Sequence, residues 1–97
     1  MGKPYEIRYA EKAVDDIREL RKSDQRKTLD GIALHLTHKP KFESKSRIKA
    51  MKQPFWSQFR LRIDEFRVYY DVDDASNEVN VLRVLEKSTD TTPKESR

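Results

Sequence analysis

The sequence has 97 residues, room for one domain and too little for two. Only 35% of them are hydrophobic while 39% are charged, so the core must be lean, and at this length about 60% of the unfolded surface can be buried. Without cysteine there is no disulfide framework or thiolate metal site, and a net charge of +4 turns attention to anionic partners.

Pro4 opens a short strand in which Tyr5, Ile7 and Tyr9 alternate with Glu6 and Arg8. Over residues 10–22, Ala10, Ala13, Val14, Ile17 and Leu20 recur at helical spacing. Asp15, Asp16, Arg18, Glu19 and Arg21 fill the opposite side. Asp15 and Asp16 read there as a solvated helix face, not as a working carboxylate pair. Ser23 or Asp24 offers a cap for a second helix that runs to about residue 38. Its stripe is Leu29, Ile32, Ala33 and Leu36. Gly31 weakens it by about 1 kcal/mol relative to alanine, and Pro40 ends it. The short connection predicts an antiparallel helical hairpin. Residues 41–53, polar, basic and without a period, read as an exposed loop.

Three strands are predicted next. In residues 55–63, Phe55, Phe59, Leu61 and Ile63 share one face, while Trp56, Gln58, Arg60 and Arg62 share the other. In residues 66–72, Phe66, Val68, Tyr70 and Val72 oppose Arg67, Tyr69 and Asp71. Asp64 and Glu65 separate these runs by the length of a tight hairpin, although neither is the glycine such turns prefer. Residues 73–78 turn again, and residues 79–85, apolar on both sides, form a central strand. The order strand, helix, helix, strand, strand, strand predicts an α+β domain, residues 1–87, with two helices on one face of a mainly antiparallel sheet. Residues 88–97, almost without apolar side chains, read as a disordered polar tail. No apolar run approaches the roughly 20 residues of a membrane span, and residues 1–10 do not look like a signal peptide. A cytoplasmic protein that does not touch membranes is the expectation.

The charge is unevenly spread. Residues 41–67 carry eight basic side chains (Lys41, Lys45, Arg47, Lys49, Lys52, Arg60, Arg62 and Arg67) against Glu43, Asp64 and Glu65. Such a stretch is either a solvated loop or a polyanion site, where neutralised phosphates release counterions. Alternation puts Arg60, Arg62 and Arg67 on the face the helices leave open. Arg67 is either a surface partner of Asp71 or Glu65, worth under about 1 kcal/mol, or a guanidinium reserved for a phosphate. Trp56, Phe55 and Phe59 either anchor loop and core or offer a base-stacking platform. His35 and His38 lack a third ligand at metal spacing, and neither a glycine-rich phosphate loop nor a serine or cysteine nucleophile arrangement is present. No metal or cofactor is expected.

Tyr5-x-Ile7, Ala10 and Ala13-x-x-Asp16-Ile17-x-x-Leu20 resemble the opening strand and helix of the RelE/ParE toxin superfamily. The run from Arg60 through Asp64-Glu65 to Tyr70-Asp71-Val72 resembles that superfamily's arginine-bearing strand pair. Ile48-Lys49-Ala50-Met51 resembles the basic turn of the RelE branch, and residues 79–85 resemble the strand that follows. The resemblance spans residues 4–87. It implies a toxin held inactive by a cognate antitoxin. RelE-type members cut mRNA in the ribosomal A site without a metal, and ParE-type members inhibit DNA gyrase.

On the favoured RelE-like side, the resemblance gives Arg67 the role of stabilising charge on the scissile phosphate. Arg60 positions RNA or moves a proton, Lys49 holds the RNA backbone, and Lys52 and Arg62 are further RNA-binding candidates. RNA-cutting members tend to carry an arginine and then a tyrosine just past the last strand. This chain has Leu85-Glu86-Lys87-Ser88 there and no tyrosine after Tyr70. Lys87 is the candidate to supply that charge and Glu86 a candidate base. A gyrase inhibitor, or a member that only binds its antitoxin, are the alternatives.

Overall fold

The computed structural model describes residues 3–87; the predicted tail lies outside the described residues. Seven elements follow in order: β1 (Glu6–Tyr9), α1 (Glu11–Arg18), α2 (Lys22–Leu36), β2 (Ile48–Ala50), β3 (Phe59–Ile63), β4 (Phe66–Asp73) and β5 (Glu78–Glu86). The strands form one sheet in the order β1-β5-β4-β3-β2. β1 lies parallel to β5, which is possible because both helices and three strands intervene. Every other pair is antiparallel. Ala13 and Ile17 of α1 and Ile32 and Leu36 of α2 join Leu61, Ile63, Val68, Tyr70, Val72, Val79, Val81 and Val84 in one core. Both helices therefore cover one side of the sheet, as the α+β reading expects, and β5 is central.

Three expectations fail, each for a local reason. The basic loop contains a strand: β2 pairs Ile48 with Leu61, Lys49 with Arg60 and Ala50 with Phe59. At three residues it is too short for a period to show. β3 begins at Phe59, not Phe55, because Pro54 and its neighbours form a loop that leaves Phe55 and Trp56 outside the strand. The helix limits and stripe also move. α1 stops at Arg18, and α2 begins at Lys22 behind the extended Arg21, so Ser23 and Asp24 lie inside the first turn and neither is the cap.

The buried residues of α2 are Thr28, Ile32 and Leu36, four apart, while Leu29 is 40% exposed and Ala33 is exposed. Gly31 explains the rotation. A Cβ there would stand 2.6 Å from Cδ1 of Ile63, so the helix meets β3 through its glycine and turns Leu29 and Ala33 outward.

The hairpin between β3 and β4 forms as expected, with Asp64 taking the left-handed backbone (φ 52°) that glycine would otherwise supply. Lys27 of α2 pins its tip, 3.3 Å from Asp64 and 3.7 Å from Glu65. Deeper in the covered side, the Tyr70 hydroxyl donates to the Pro40 carbonyl at 2.6 Å. Burial pushes that phenol far above its ordinary pKa, so it stays neutral.

Candidate nucleic-acid interface

Residues directly opposite one another in an antiparallel pair share a face. The register pairs Arg62 with Arg67, Arg60 with Tyr69, and Lys49 with Arg60. Leu61 and Val68, which alternate with these, belong to the helix-covered core. Lys49, Arg60, Arg62, Arg67 and Tyr69 therefore stand together on the open side. Lys49 and Arg62 are exposed, whereas Arg60 and Arg67 are half-buried with their Nε atoms screened from solvent. Their stems lie along the sheet, as long basic side chains do on apolar ground. Like charges placed directly opposite destabilise a sheet, and this chain does so twice, at Arg62–Arg67 and at Lys49–Arg60.

The other two predicted site residues fall differently. The ladder runs one residue past β5, with the Lys87 N–H donating to the Glu65 carbonyl at 2.7 Å. Leu85 is opposite Arg67 and Glu86 is opposite Phe66, so alternation puts Lys87, not Glu86, on the side of Arg67. Lys52 is exposed in the loop beyond β2, and no strand sets its direction. Asp71 accepts from the Gln58 N–H at 2.7 Å, and Glu65 lies 3.7 Å from Lys27.

Two features refine the sequence reading, which put Trp56 on the side of Arg60 and Arg62 and Phe55 on the other. The loop between β2 and β3 folds over the open side, where the Trp56 ring lies 4.6 Å from that of Tyr69 and stacks on Phe55 at 5.0 Å. Tyr69 is left 2% exposed although it faces away from the helices. Phe59 does not join them; it stacks on Tyr70 at the covered side. The second feature corrects the reading of Asp16 as a solvated residue. Its carboxylate accepts from Arg83 Nε at 2.7 Å and Nη2 at 3.0 Å, and from the Val84 N–H at 2.9 Å. β1 pairs β5 only as far as Val81, so Asp16 takes over an edge donor that β1 no longer reaches. The hydrogen bond to Asp16 holds the Arg83 guanidinium still more firmly protonated. Since Arg83 is opposite Tyr69, a row of Lys49, Arg60, Tyr69 and Arg83 crosses the sheet and ends on α1. The histidines stand elsewhere, lining a groove of about 330 Å³ with Leu34, Phe42 and Arg47. Among the described residues no group of three or more His, Asp or Glu is placed to hold a metal ion.

Comparison with known proteins agrees with this architecture. The structure is similar to the toxin–antitoxin complex RelBE2 of Mycobacterium tuberculosis, with a TM-score of 0.71 and 24% identity over 86% of this chain and 98% of that one. It is also similar to the RelE–RelB complex of Pyrococcus horikoshii (TM-score 0.57, 17% identity, 89% and 98% covered). A third similar structure is the RelB–RelE complex of Methanococcus jannaschii (0.60, 16%, 84% and 92%). At these identities the likeness concerns the fold. No curated protein matches the sequence. The family of the ParE toxin of type II toxin–antitoxin systems matches residues 7–91. With nearly the whole sequence matched and the fold shared, this chain belongs to the ParE toxin family of type II toxin–antitoxin systems, within the RelE/ParE superfamily.

Proposed function

We propose that the chain is a toxin that cuts mRNA in the ribosomal A site through attack of a 2′-hydroxyl on the adjacent phosphorus. One observation carries this reading: Arg60, Arg62 and Arg67 share the open side, with Arg62 and Arg67 directly opposed. Guanidinium groups that share one face of neighbouring strands can reach a single phosphate together. Charge develops on the phosphoryl oxygens during the attack, and fixed guanidinium groups stabilise it where it forms. In this reading Arg67 and Arg60 hold the scissile phosphate. Lys49, Lys52 and Arg62 hold the flanking backbone, and Lys87 stabilises the leaving 5′ oxygen. Glu86 stands opposite Phe66, on the other side of the strand from Arg67, and is set aside as the base. No metal or cofactor takes part.

The partner that silences the chain is a cognate antitoxin, since the similar structures are toxin–antitoxin complexes. It docks as a helix or an added strand, and β1 and β2 offer it the sheet's two edges. The decisive experiment is mapping of cellular RNA 5′ ends after brief induction. The wild-type chain yields cuts within translated messages; Arg67→Ala reduces them at least 100-fold, the usual size of losing one fixed donor to a developing oxyanion. Equal growth arrest by both sinks the reading.

A second reading, inhibition of DNA gyrase, is favoured by the family match to the ParE toxin. It predicts DNA breaks with intact messages, and loss of supercoiling by purified gyrase when the chain is added.

A further inference from the structure

We propose that Trp56, floored by Tyr69 and Phe55, is a stacking site for an unpaired base of the RNA strand whose phosphates lie along Arg60, Arg62 and Arg67. The choice of RNA rests on the endoribonuclease reading; the stacking site itself rests on the geometry that follows.

Trp56 is 46% exposed, and neither it, Phe55 nor Tyr69 belongs to the helix-side core. Leaving so large an apolar ring half in water forgoes burial that a lean core could use. Yet its position is closely fixed. Phe55 stacks on it at 27° and Tyr69 meets it at 47°. The loop that carries it is braced at both ends. Gln53 Nε2 donates to the carbonyls of Met51 and Ser57, and Gln53 Oε1 accepts from the Phe55 N–H. The Gln58 N–H donates to Asp71 and Gln58 Oε1 accepts from the Val72 N–H. A ring held this way loses little freedom when a ligand covers it, which is what makes a preformed contact strong.

The location selects the occupant. Tyr69, the floor, is opposite Arg60 and two residues along β4 from Arg67, about 7 Å at the strand rise. An aromatic face within that distance of a row of cations suits a molecule that joins flat rings to closely spaced negative charges. Single-stranded nucleic acid has that chemistry, because its bases are free to leave one another and stack on protein. A duplex keeps its bases stacked and offers only the phosphates.

Trp56 is the only tryptophan in the chain, so the protein reports on the site itself. The probe is a 2′-O-methyl hexa-adenylate, which cannot be cut by its own 2′-oxygen. It is titrated into the purified chain beside an abasic hexamer of equal charge and the same hexamer in a duplex. The expected result is quenching of Trp56 emission by the hexa-adenylate alone. Trp56→Ala then weakens its binding about 5- to 100-fold with an unchanged salt slope, and Trp56→Phe restores most of the affinity. Arg67→Ala gives the converse signature, a shallower salt slope with base-dependent quenching retained. Equal binding and quenching by the abasic hexamer, or no binding of any oligonucleotide, overturns the proposal. So does equal quenching by an acidic peptide, which would mark a protein-docking surface. The wild-type titration stands even if Trp56→Ala fails to fold. Base-dependent quenching without cellular cuts drops the endoribonuclease reading alone; cuts without base-dependent quenching drop the stacking site alone.

Discussion

Leu61 and Arg62 are neighbours on β3, as are Arg67 and Val68 on β4, and each pair divides the sheet into two unlike regions. On the covered side Leu61 and Val68 are fully buried among apolar neighbours, and a removed atom leaves a void. On the open side Arg62 faces Arg67, and a removed charge leaves less repulsion. One region is organised by burial of apolar side chains, while the other gathers basic side chains at the sheet surface.

The widest separation between the regions is expected from truncating those two neighbours. Leu61→Ala should cost about 2–5 kcal/mol by lost transfer energy and residual cavity. Arg62→Ala should change stability by less than about 0.5 kcal/mol, in the stabilising direction if repulsion from Arg67 dominates. Denaturant midpoints of the two variants measure this directly. Comparable losses from both would mean that Arg62 is a structural residue and would break the contrast.

Next in size is the junction where α1 meets the edge of β5. Asp16→Ala leaves the Val84 N–H and the Arg83 guanidinium without the carboxylate that accepts from both. The N–H is the costlier loss, because Arg83 keeps access to water. A destabilisation of about 1–3 kcal/mol follows, read as a lowered midpoint in urea. If Asp16→Ala proves neutral, the edge of β5 is closed by something other than this side chain.

A third test on the covered side has the opposite sign. Thr28 is fully buried and its hydroxyl has no hydrogen-bond partner. Thr28→Val keeps the shape and removes the unsatisfied oxygen, with little change in helix propensity. It should stabilise the chain by about 1 kcal/mol, or about 4–8 °C in melting temperature for a domain of this size. A lowered melting temperature would mean that the hydroxyl is satisfied in solution.

What could be read in advance follows the same division. Alternation in β3 and β4 was legible because one side is buried and the other is not, and a one-residue slip would invert both. The same pattern brings Arg60, Arg62 and Arg67 to one side. The stripe of α2 was misread because Gly31 contributes contact through the absence of a side chain, which no apolar pattern records. β2 is shorter than any period. Asp16 looked solvated because its partner Arg83 lies 67 positions away. Strand alternation put Trp56 on the side of Arg60, but it sits in a loop ahead of β3, so its contacts with Tyr69 and Phe55 needed the fold.

The smallest expected effect lies at the margin of the covered side. His35 is half-buried on α2, and burial, reinforced by the nearby Arg47 charge, lowers its pKa below the ordinary value of 6.5. The unfolded chain therefore takes up a proton at His35 more readily than the folded one. Its contribution to stability is complete above about pH 6.5 and is lost as pH falls through the lowered folded-state value. Unfolding midpoints between pH 8 and pH 5 should fall less steeply in His35→Gln than in the wild-type chain. The difference should be smaller than that of any substitution above, because the ring keeps partial access to water. Parallel pH profiles would place His35 on the solvated side of the margin, and with it the groove it shares with Leu34 and Phe42.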